Sequence, residues 1–202
     1  MQDIIRPARI IREVPDAPTD PDAFLEWSSR QPRGRKFELS RGKVIEIMIN
    51  VTRRHALVCS NLAAELRRLL NRTQFLITTA DFAVRTPFGI RGPDVLVEPV
   101  NPDLSALSSS DPVLLAEVLS PSTVGIDLME KVEEYTAIPS LQAYLICSQD
   151  LPLAWFYARE GDAWPKKARE IAGRDQAVPV PALGIELAMA AIYEGIPDPP
   201  QP

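Results

Sequence analysis

The chain has 202 residues, of which 46% are hydrophobic and 24% are charged, and its formal net charge is -5. This length and composition suit a single folded domain with one substantial core, and they exclude a disordered tail or a low-complexity scaffold. The acidic balance argues against a strong non-specific DNA binder.

Turn residues and apolar spacing predict helices and strands along most of the chain. In chain order they are a helix over residues 21–29, a hairpin with arms at 36–39 and 44–49, a helix over 54–70, strands at 75–85, 95–98 and 113–119, a helix that carries Lys131, and strands at 143–147 and 154–158. We expect a flexible lead over residues 1–20, a single domain over 21–195 and a Pro-rich tail over 196–202.

Two acidic residues are the main chemical signal. Asp94 stands directly before one apolar strand, and Glu117 stands inside another, PVLLAEVL. A carboxylate in a continuous hydrophobic strand is costly to bury without a partner that stabilises its charge. If the two strands are antiparallel neighbours, the start of one lies beside the end of the other and the carboxylates converge. Two converging carboxylates suit a hard divalent cation, Mg²⁺ above all.

The helix after Glu117 adds a lysine to this pair. Asp127, Lys131 and Tyr135 recur every four residues, which places all three on one helix face. Asp, Glu, a cation and a lysine together suit phosphodiester hydrolysis, because the cation activates water and the ammonium adds positive charge where negative charge develops.

Several segments, in their order and spacing, resemble the Uma-type restriction endonuclease family of the PD-(D/E)XK nuclease superfamily. They are PDAFLEW, GRKFELSRGKVIEI, the Arg54-His55 pair, GPDVLVEP, LLAEVLSPST, the Asp127, Lys131, Tyr135 spacing, IPSLQAYLI and WFYAREGDAW. The resemblance covers most of the chain. The predicted order of helix, three strands, helix and strand also matches the core of that superfamily.

The resemblance implies an α/β (α+β) fold with a restriction-endonuclease-like core, in which helices flank a central mixed sheet, plus an N-terminal helix and β-hairpin extension. It implies that Asp94 and Glu117 are catalytic ligands of Mg²⁺ or Mn²⁺. An E-x-K motif would place lysine where this chain has Leu119, so the lysine role falls to Lys131. Glu46 matches an acidic position after the family's first glycine turn, although it could equally be a half-exposed strand residue.

Each of these residues also has a purely structural explanation. Asp94 could bond backbone amides at a turn or at the start of its strand. A buried ion pair between Glu117 and Lys131 would satisfy both groups without catalysis. The face formed by Asp127, Lys131 and Tyr135 could be an ordinary helix surface with an ion pair. Asp127 and Tyr135 therefore remain additional candidates only.

Charge is unevenly distributed along the chain. Residues 1–91 carry 16 basic and 10 acidic side chains, whereas residues 92–202 carry 6 basic and 17 acidic ones. The basic residues of the first half predict either a phosphate-facing surface or solvated helix and loop faces. These residues include Arg33, Arg35, Lys36, Arg41, Lys43, Arg53, Arg54, Arg67 and Arg68. Arg53, Arg54 and His55 are the candidate nucleic-acid contacts, although a histidine at a helix start more often satisfies itself locally.

The sequence and the resemblance together predict a metal-dependent endonuclease that hydrolyses phosphodiester bonds in DNA. The alternative is a catalytically inactive nuclease-fold protein that binds nucleic acid or has a structural role. Cys59 and Cys147 are too few for a disulfide framework or a zinc site, and they suit a reducing compartment. No apolar run of membrane-spanning length is present, so we expect a cytoplasmic protein without a membrane partner. Restriction-type folds often work as dimers, and a homodimer is a further expectation.

Overall fold

The computed structural model describes residues 12–47, 51–119 and 126–197, and for residues 126–128 it describes the backbone alone. The α-helices in these ranges are α1 (Pro21–Ser29), α2 (Arg53–Leu69), α3 (Ile126–Thr136) and α4 (Met189–Ile192). The strands are β1 (Arg12–Glu13), β2 (Lys36–Ser40), β3 (Lys43–Ile47), β4 (Phe75–Thr79), β5 (Ala83–Thr86), β6 (Gly89–Arg91), β7 (Val95–Pro99), β8 (Ser108–Ser109), β9 (Leu114–Leu119), β10 (Ala143–Ser148), β11 (Leu153–Ala158), β12 (Arg169–Ala172), β13 (Ala177–Val180) and β14 (Ile185–Ala188).

The strands form two mixed sheets and a separate hairpin. The extension sheet has the order β1-β3-β2-β6-β5-β8, and the central sheet has the order β12-β11-β10-β9-β7-β4. In the central sheet β9 and β10 are parallel, and the other neighbouring strands are antiparallel. The hairpin consists of β13 and β14.

The pairing of β7 with β9 decides where the acidic residues lie. The two strands are antiparallel neighbours with Val95 opposite Ala116. Asp94 precedes Val95 and Glu117 follows Ala116, so both acids lie at the same end of the pair. The predicted neighbourhood of these strands is therefore confirmed.

Both faces of the central sheet are covered, because residues of β7 and β9 alternate between two apolar clusters. Val95 and Ala116 belong to the cluster that contains Leu62 of α2. Leu115 belongs to the cluster that contains Tyr135 of α3. The sheet is thus interior, and a charged side chain at position 117 points toward α3 rather than toward water.

Capping residues explain where the helices α1 and α2 begin. The Asp20 side chain accepts hydrogen bonds from two amides of the first turn of α1, and Pro21 occupies the first helical position. The Thr52 side chain accepts from the amide of His55 and so caps α2. None of the helices in the described ranges is both long and apolar enough to cross a membrane.

Three expectations for the fold need correction. The single strand predicted over residues 75–85 is two strands, because the chain turns at Ala80, which has φ 25°, and β4 and β5 enter different sheets. The lead is not wholly flexible, since β1 pairs with β3 and Ala17 is buried; residues 1–11 lie outside the described ranges. The strands β12 to β14 were not predicted. The end of the predicted hairpin arm, residues 48–49, lies outside the described ranges.

Candidate active site

Asp94 is buried at the start of β7 and is held by neighbours from two elements. Its amide donates to the Ala116 carbonyl at 3.1 Å, and its Oδ2 accepts from the Val118 amide at 2.8 Å. His55 Nε2 of α2 lies 3.2 Å from the same Oδ2. Burial alone would raise the pKa of Asp94, but the His55 ring, the Val118 amide and the charge of Lys131 together lower it to about 2. Asp94 is therefore an anion with a fixed orientation.

Glu117 lies on β9 and faces α3, as the alternation with Leu115 requires. Its Oε1 accepts from Lys131 Nζ at 2.8 Å and from the Tyr135 hydroxyl at 2.9 Å. Burial raises the pKa of Glu117, and the negative charge of Asp94 adds to that rise, while the Lys131 ammonium opposes it. The site thus holds a second carboxylate whose charge is stabilised less well than that of Asp94.

The lysine and tyrosine of α3 share a face, as predicted. Lys131 and Tyr135 reach the same oxygen of Glu117. The side chain of Asp127, the third member of the predicted face, lies outside the described residues. The helix therefore brings at least two polar side chains to the carboxylate of the sheet.

Glu38 is a third buried carboxylate, which the sequence did not single out. Its Oε1 accepts from the Gly92 amide at 3.1 Å and lies 3.9 Å from Lys131 Nζ. Its Oε2 accepts from Arg91 at 2.9 Å. Burial opposes ionisation, but the charges of Lys131, Arg91 and Lys36 lower the pKa of Glu38 to about 2. A signal exists in the sequence, since Lys36, Glu38 and Ser40 alternate with apolar residues along β2.

Behind Glu38 lies a polar network centred on Arg91. The Arg91 guanidinium donates to Glu134 at 2.6 and 2.9 Å and to Ser40 Oγ at 3.0 Å. Ser40 Oγ in turn donates to Glu134 at 2.7 Å. We call Glu38, Ser40, Arg91 and Glu134 the arginine network. It fastens the extension sheet to α3 directly beside Lys131.

Glu46 is not part of this group. On β3 it pairs with Phe37 across the hairpin, so its side chain points to the face opposite that of Glu38. Both of its carboxylate oxygens accept from Arg35, each at 2.6 Å. The interpretation of Glu46 as a half-exposed strand residue therefore describes its surroundings better than a place in the metal site does.

His55 enters from the first turn of α2 and is 6% exposed. Its Nδ1 lies 3.5 Å from Cys59 Sγ, one turn along the helix. One ligand atom from each of His55, Cys59 and Asp94 lies within 4.8 Å of the other two. Burial chiefly, and the charge of Asp94 next, raise the pKa of the Cys59 thiol. Cys59 thus borders a candidate metal site, which the count of two cysteines did not indicate.

The predicted nucleic-acid contacts separate in the structure. Arg53 is exposed, whereas Arg54 is half-buried and donates to the Pro197 carbonyl at 3.2 Å. His55 is turned inward to Asp94. Several other basic side chains of the first half form ion pairs with acidic side chains, so their positive charges are partly neutralised by a neighbour. These pairs are Arg35 with Glu46, Arg41 with Glu133, Lys43 with Glu13 and Arg68 with Glu65.

A cavity of about 650 Å³ lies against Asp94 and His55. Its wall includes the acids Asp94 and Glu38 and the bases Lys36 and Arg67. Lys36 Nζ donates to the Gly92 carbonyl at 2.9 Å, which fixes one positive charge beside the start of β7. The cavity therefore offers Asp94, one carboxylate of the candidate pair, together with side-chain cations that attract an anion.

The donors present fit a divalent cation. Asp94 and Glu117 come from adjacent strands, and the negative charge of Asp94 raises the pKa of Glu117. Carboxylates and imidazole are the donors that divalent cations take in proteins.

Comparisons with known proteins identify the family and the fold. The Uma2 family model, described as "Putative restriction endonuclease", matches residues 21–190. An "Uncharacterized protein sll1609" from Synechocystis sp. is 32% identical over 143 residues, which are 68% of this chain and 80% of that protein. A crystal structure of a putative nuclease from Anabaena variabilis aligns with a TM-score of 0.69 at 15% identity, over 87% of this chain and 98% of that one. The predicted fold class is confirmed by this likeness, and the chain belongs to the Uma2 family of putative restriction endonucleases.

Proposed function

We propose that this protein is an Mg²⁺- or Mn²⁺-dependent endonuclease that hydrolyses phosphodiester bonds in DNA. The observation that carries the proposal is the pair of buried carboxylates, Asp94 and Glu117, at the same end of β7 and β9, with Lys131 bonded to Glu117 at 2.8 Å. The family description supports DNA as the substrate. We place the activity in one domain over residues 21–195.

Each residue has a distinct role in this proposal. Asp94 and Glu117 hold the cation, and the Val118 amide and Tyr135 hydroxyl keep the two carboxylates oriented. A bound divalent cation lowers the pKa of the attacking water and stabilises the negative charge that develops on the phosphate. Lys131 contributes positive charge beside Glu117, where the attacking water or the phosphate oxygens need it.

The cavity gives the substrate an approach to this group. Lys36 and Arg67 lie in its wall, where they attract the phosphate backbone despite the negative net charge of the chain. Glu38 lies 3.9 Å from Lys131 Nζ and so limits where that ammonium can move. The cavity therefore places an electrostatic attraction for phosphate beside the carboxylates.

A second candidate function also has support. Glu117 Oε1 already accepts from both Lys131 and Tyr135, and Leu119 stands where the superfamily has its lysine. These contacts would equally stabilise a nuclease fold that binds DNA without cleaving it. The two functions differ in turnover, because both allow binding and one alone allows cleavage.

The test is cleavage of supercoiled plasmid and of single-stranded DNA in Mg²⁺ and in Mn²⁺. We expect the wild type to cleave, and we expect Asp94→Asn and Glu117→Gln each to reduce cleavage by at least about 100-fold. Glu98→Gln is the matched control, since Glu98 is a buried carboxylate on β7 that lines a different cavity. Wild-type DNA binding without cleavage in either cation would favour the non-catalytic function. Full activity in Asp94→Asn would remove Asp94 from the mechanism.

A further inference from the structure

We propose that His55 Nε2 is a ligand of the cation held at Asp94, and that the centre therefore binds first-row transition cations such as Co²⁺ in preference to Mg²⁺. This inference rests on the metal site of the proposed function and names a residue and a metal class that the carboxylates alone do not specify. Three features of His55 carry it: an unpaired ring nitrogen, the position of that nitrogen, and the contact that fixes the ring.

The first feature is the unpaired nitrogen. His55 Nε2 is buried, and among the residues that the structure describes no group forms a hydrogen bond with it. Buried polar atoms nearly always have a partner, because an unmet donor or acceptor costs its full desolvation. His55 lines a cavity together with Asp94, so a ring nitrogen without a hydrogen bond beside that carboxylate indicates that the two groups share a bound partner.

The second feature is the separation of His55 Nε2 from Asp94 Oδ2. The two atoms are 3.2 Å apart, which is ion-pair distance, although the ring nitrogen is not aligned with the carboxylate for a hydrogen bond. Neighbouring ligand atoms on one cation, each with a bond of about 2.1 Å, lie about 3 Å from each other when their bonds are perpendicular. The spacing is therefore what two ligands of one ion require.

The third feature is the way in which the ring is held. Thr52 caps α2 through the His55 amide, which fixes the backbone. Cys59 Sγ lies 3.5 Å from Nδ1, the other nitrogen of the ring. Metal-bound histidines are commonly oriented through their second nitrogen in this way. Cys59 thus orients the imidazole and leaves Nε2 directed at the carboxylate.

The preference between cations follows from the donor type. Mg²⁺ takes oxygen ligands and keeps several waters, so an imidazole adds little to its binding. First-row transition cations bind imidazole nitrogen well, and their affinity for such sites rises from Mn²⁺ toward Cu²⁺. A site with one imidazole and carboxylates should therefore discriminate against Mg²⁺ through His55.

Calorimetric titration of the metal-free chain with Co²⁺ and with Mg²⁺ tests this preference. We expect His55→Phe, which keeps a planar ring without nitrogen, to weaken Co²⁺ binding by at least about tenfold and Mg²⁺ binding much less. Glu98→Gln should leave both affinities unchanged. An unchanged ratio of Co²⁺ to Mg²⁺ affinity in His55→Phe would overturn the proposal. A thiolate-to-cobalt absorption band together with an unchanged Co²⁺ affinity in His55→Phe would also overturn it, because Cys59 rather than His55 would then be the ligand.

A second measurement needs no variant, which matters if His55→Phe does not fold. His55 is the chain's single histidine, so labelling an untagged protein with ¹⁵N-histidine labels one residue. Pulsed electron paramagnetic resonance with Mn²⁺ should show a nitrogen coupling that changes between the ¹⁴N and ¹⁵N proteins. Mn²⁺ binding that disappears in Asp94→Asn, without any histidine coupling in the wild type, would contradict the proposal.

These outcomes are separable from the fate of the proposed function. DNA cleavage that depends on Asp94, with no effect of His55 on metal affinity, would overturn the role of His55 alone. Histidine coupling without DNA cleavage would support His55 as a ligand and overturn the nuclease activity. Absence of any metal binding by the wild type would overturn both.

Discussion

Two buried polar groups lie side by side in this molecule, and they differ in how fully the protein satisfies them. In the arginine network, Arg91 is 1% exposed and its guanidinium contacts Glu38, Glu134 and Ser40. In the second group, Asp94 and His55 line a cavity, and His55 Nε2 has no hydrogen bond among the described residues. One group is closed by protein contacts, and the other opens onto space for a ligand.

The difference distinguishes buried charges that other protein groups compensate from buried charges that we propose to bind a ligand. Buried ions that are mutually compensated contribute to a unique arrangement of elements, and nothing in their surroundings requires a ligand. Buried ions with an unmet partner beside a cavity are typical of binding and catalytic sites. Glu38 belongs to both groups, because one of its oxygens accepts from Arg91 and the other lies near Lys131. Through Glu38, the arginine network therefore holds a carboxylate in a fixed position beside Lys131.

The largest effect is expected at the centre of the closed network. Arg91→Met removes the positive charge between Glu38 and Glu134 and leaves two buried carboxylates without their main partner. Breaking a buried ion pair in this way costs about 3–5 kcal/mol. Urea denaturation of the wild type and the variant measures the loss. In Arg91→Met/Glu134→Gln part of it should return, because one of the uncompensated charges is gone.

If Arg91→Met lowers the free energy of unfolding by less than an ordinary surface substitution does, then protein contacts alone do not compensate the charges of the network. Water or another cation would then be compensating the two glutamates. The arginine network would then no longer differ from the group at Asp94 in how fully protein contacts satisfy it, and it would itself become a candidate binding site.

We expect a smaller loss of stability when the pH is lowered, and we expect Glu38 to cause it. Its pKa is lowered from 4.5 to about 2, so the stability that its charge contributes is fully present above pH 4.5 and is lost as the pH falls toward 2. The shift corresponds to roughly 3 kcal/mol. Glu117 acts with the opposite sign, because its pKa is raised and its protonation favours the folded state as the pH falls.

The unfolding free energies of the wild type and Glu38→Gln at pH 6 and pH 3 isolate this contribution. We expect the two proteins to differ more at pH 6 than at pH 3. At pH 3 Glu38 is protonated in the unfolded chain but still largely ionised in the folded protein, so part of the stability that its charge contributes is already lost. A difference that stays constant between the two pH values would mean that the Glu38 charge is not what the network stabilises.

Sequence patterns predicted the part of the site that depends on local periodicity. The pairing of β7 with β9 followed from two apolar strands and the connection between them, and the shared helix face of Lys131 and Tyr135 followed from a spacing of four residues. The family resemblance predicted the fold, which the structural likeness confirms. The assignment of Asp94, Glu117 and Lys131 as catalytic residues stays a prediction.

The arginine network was missed because its members are distant in the chain. Glu38, Arg91 and Glu134 lie on the extension sheet and on α3, and no local spacing relates them. The alternation of polar residues along β2 could have shown that Glu38 shares a face with Ser40. The same alternation places Glu46, which pairs with Phe37, on the other face and would have removed it from the candidates.

The smallest effect is expected from an arginine–glutamate pair that resembles the Arg91 contacts in geometry but not in burial. Arg35 donates to both oxygens of Glu46 at 2.6 Å, and both side chains are partly exposed. When Arg35 is removed, water hydrates the exposed carboxylate of Glu46 and replaces most of the lost attraction. Salt already screens the attraction between the two exposed charges in the wild type. We therefore expect Arg35→Met to leave the urea midpoint nearly unchanged, in contrast to Arg91→Met. Equal losses in the two variants would show that the ion pairs themselves, rather than their burial, determine the stability of the extension sheet.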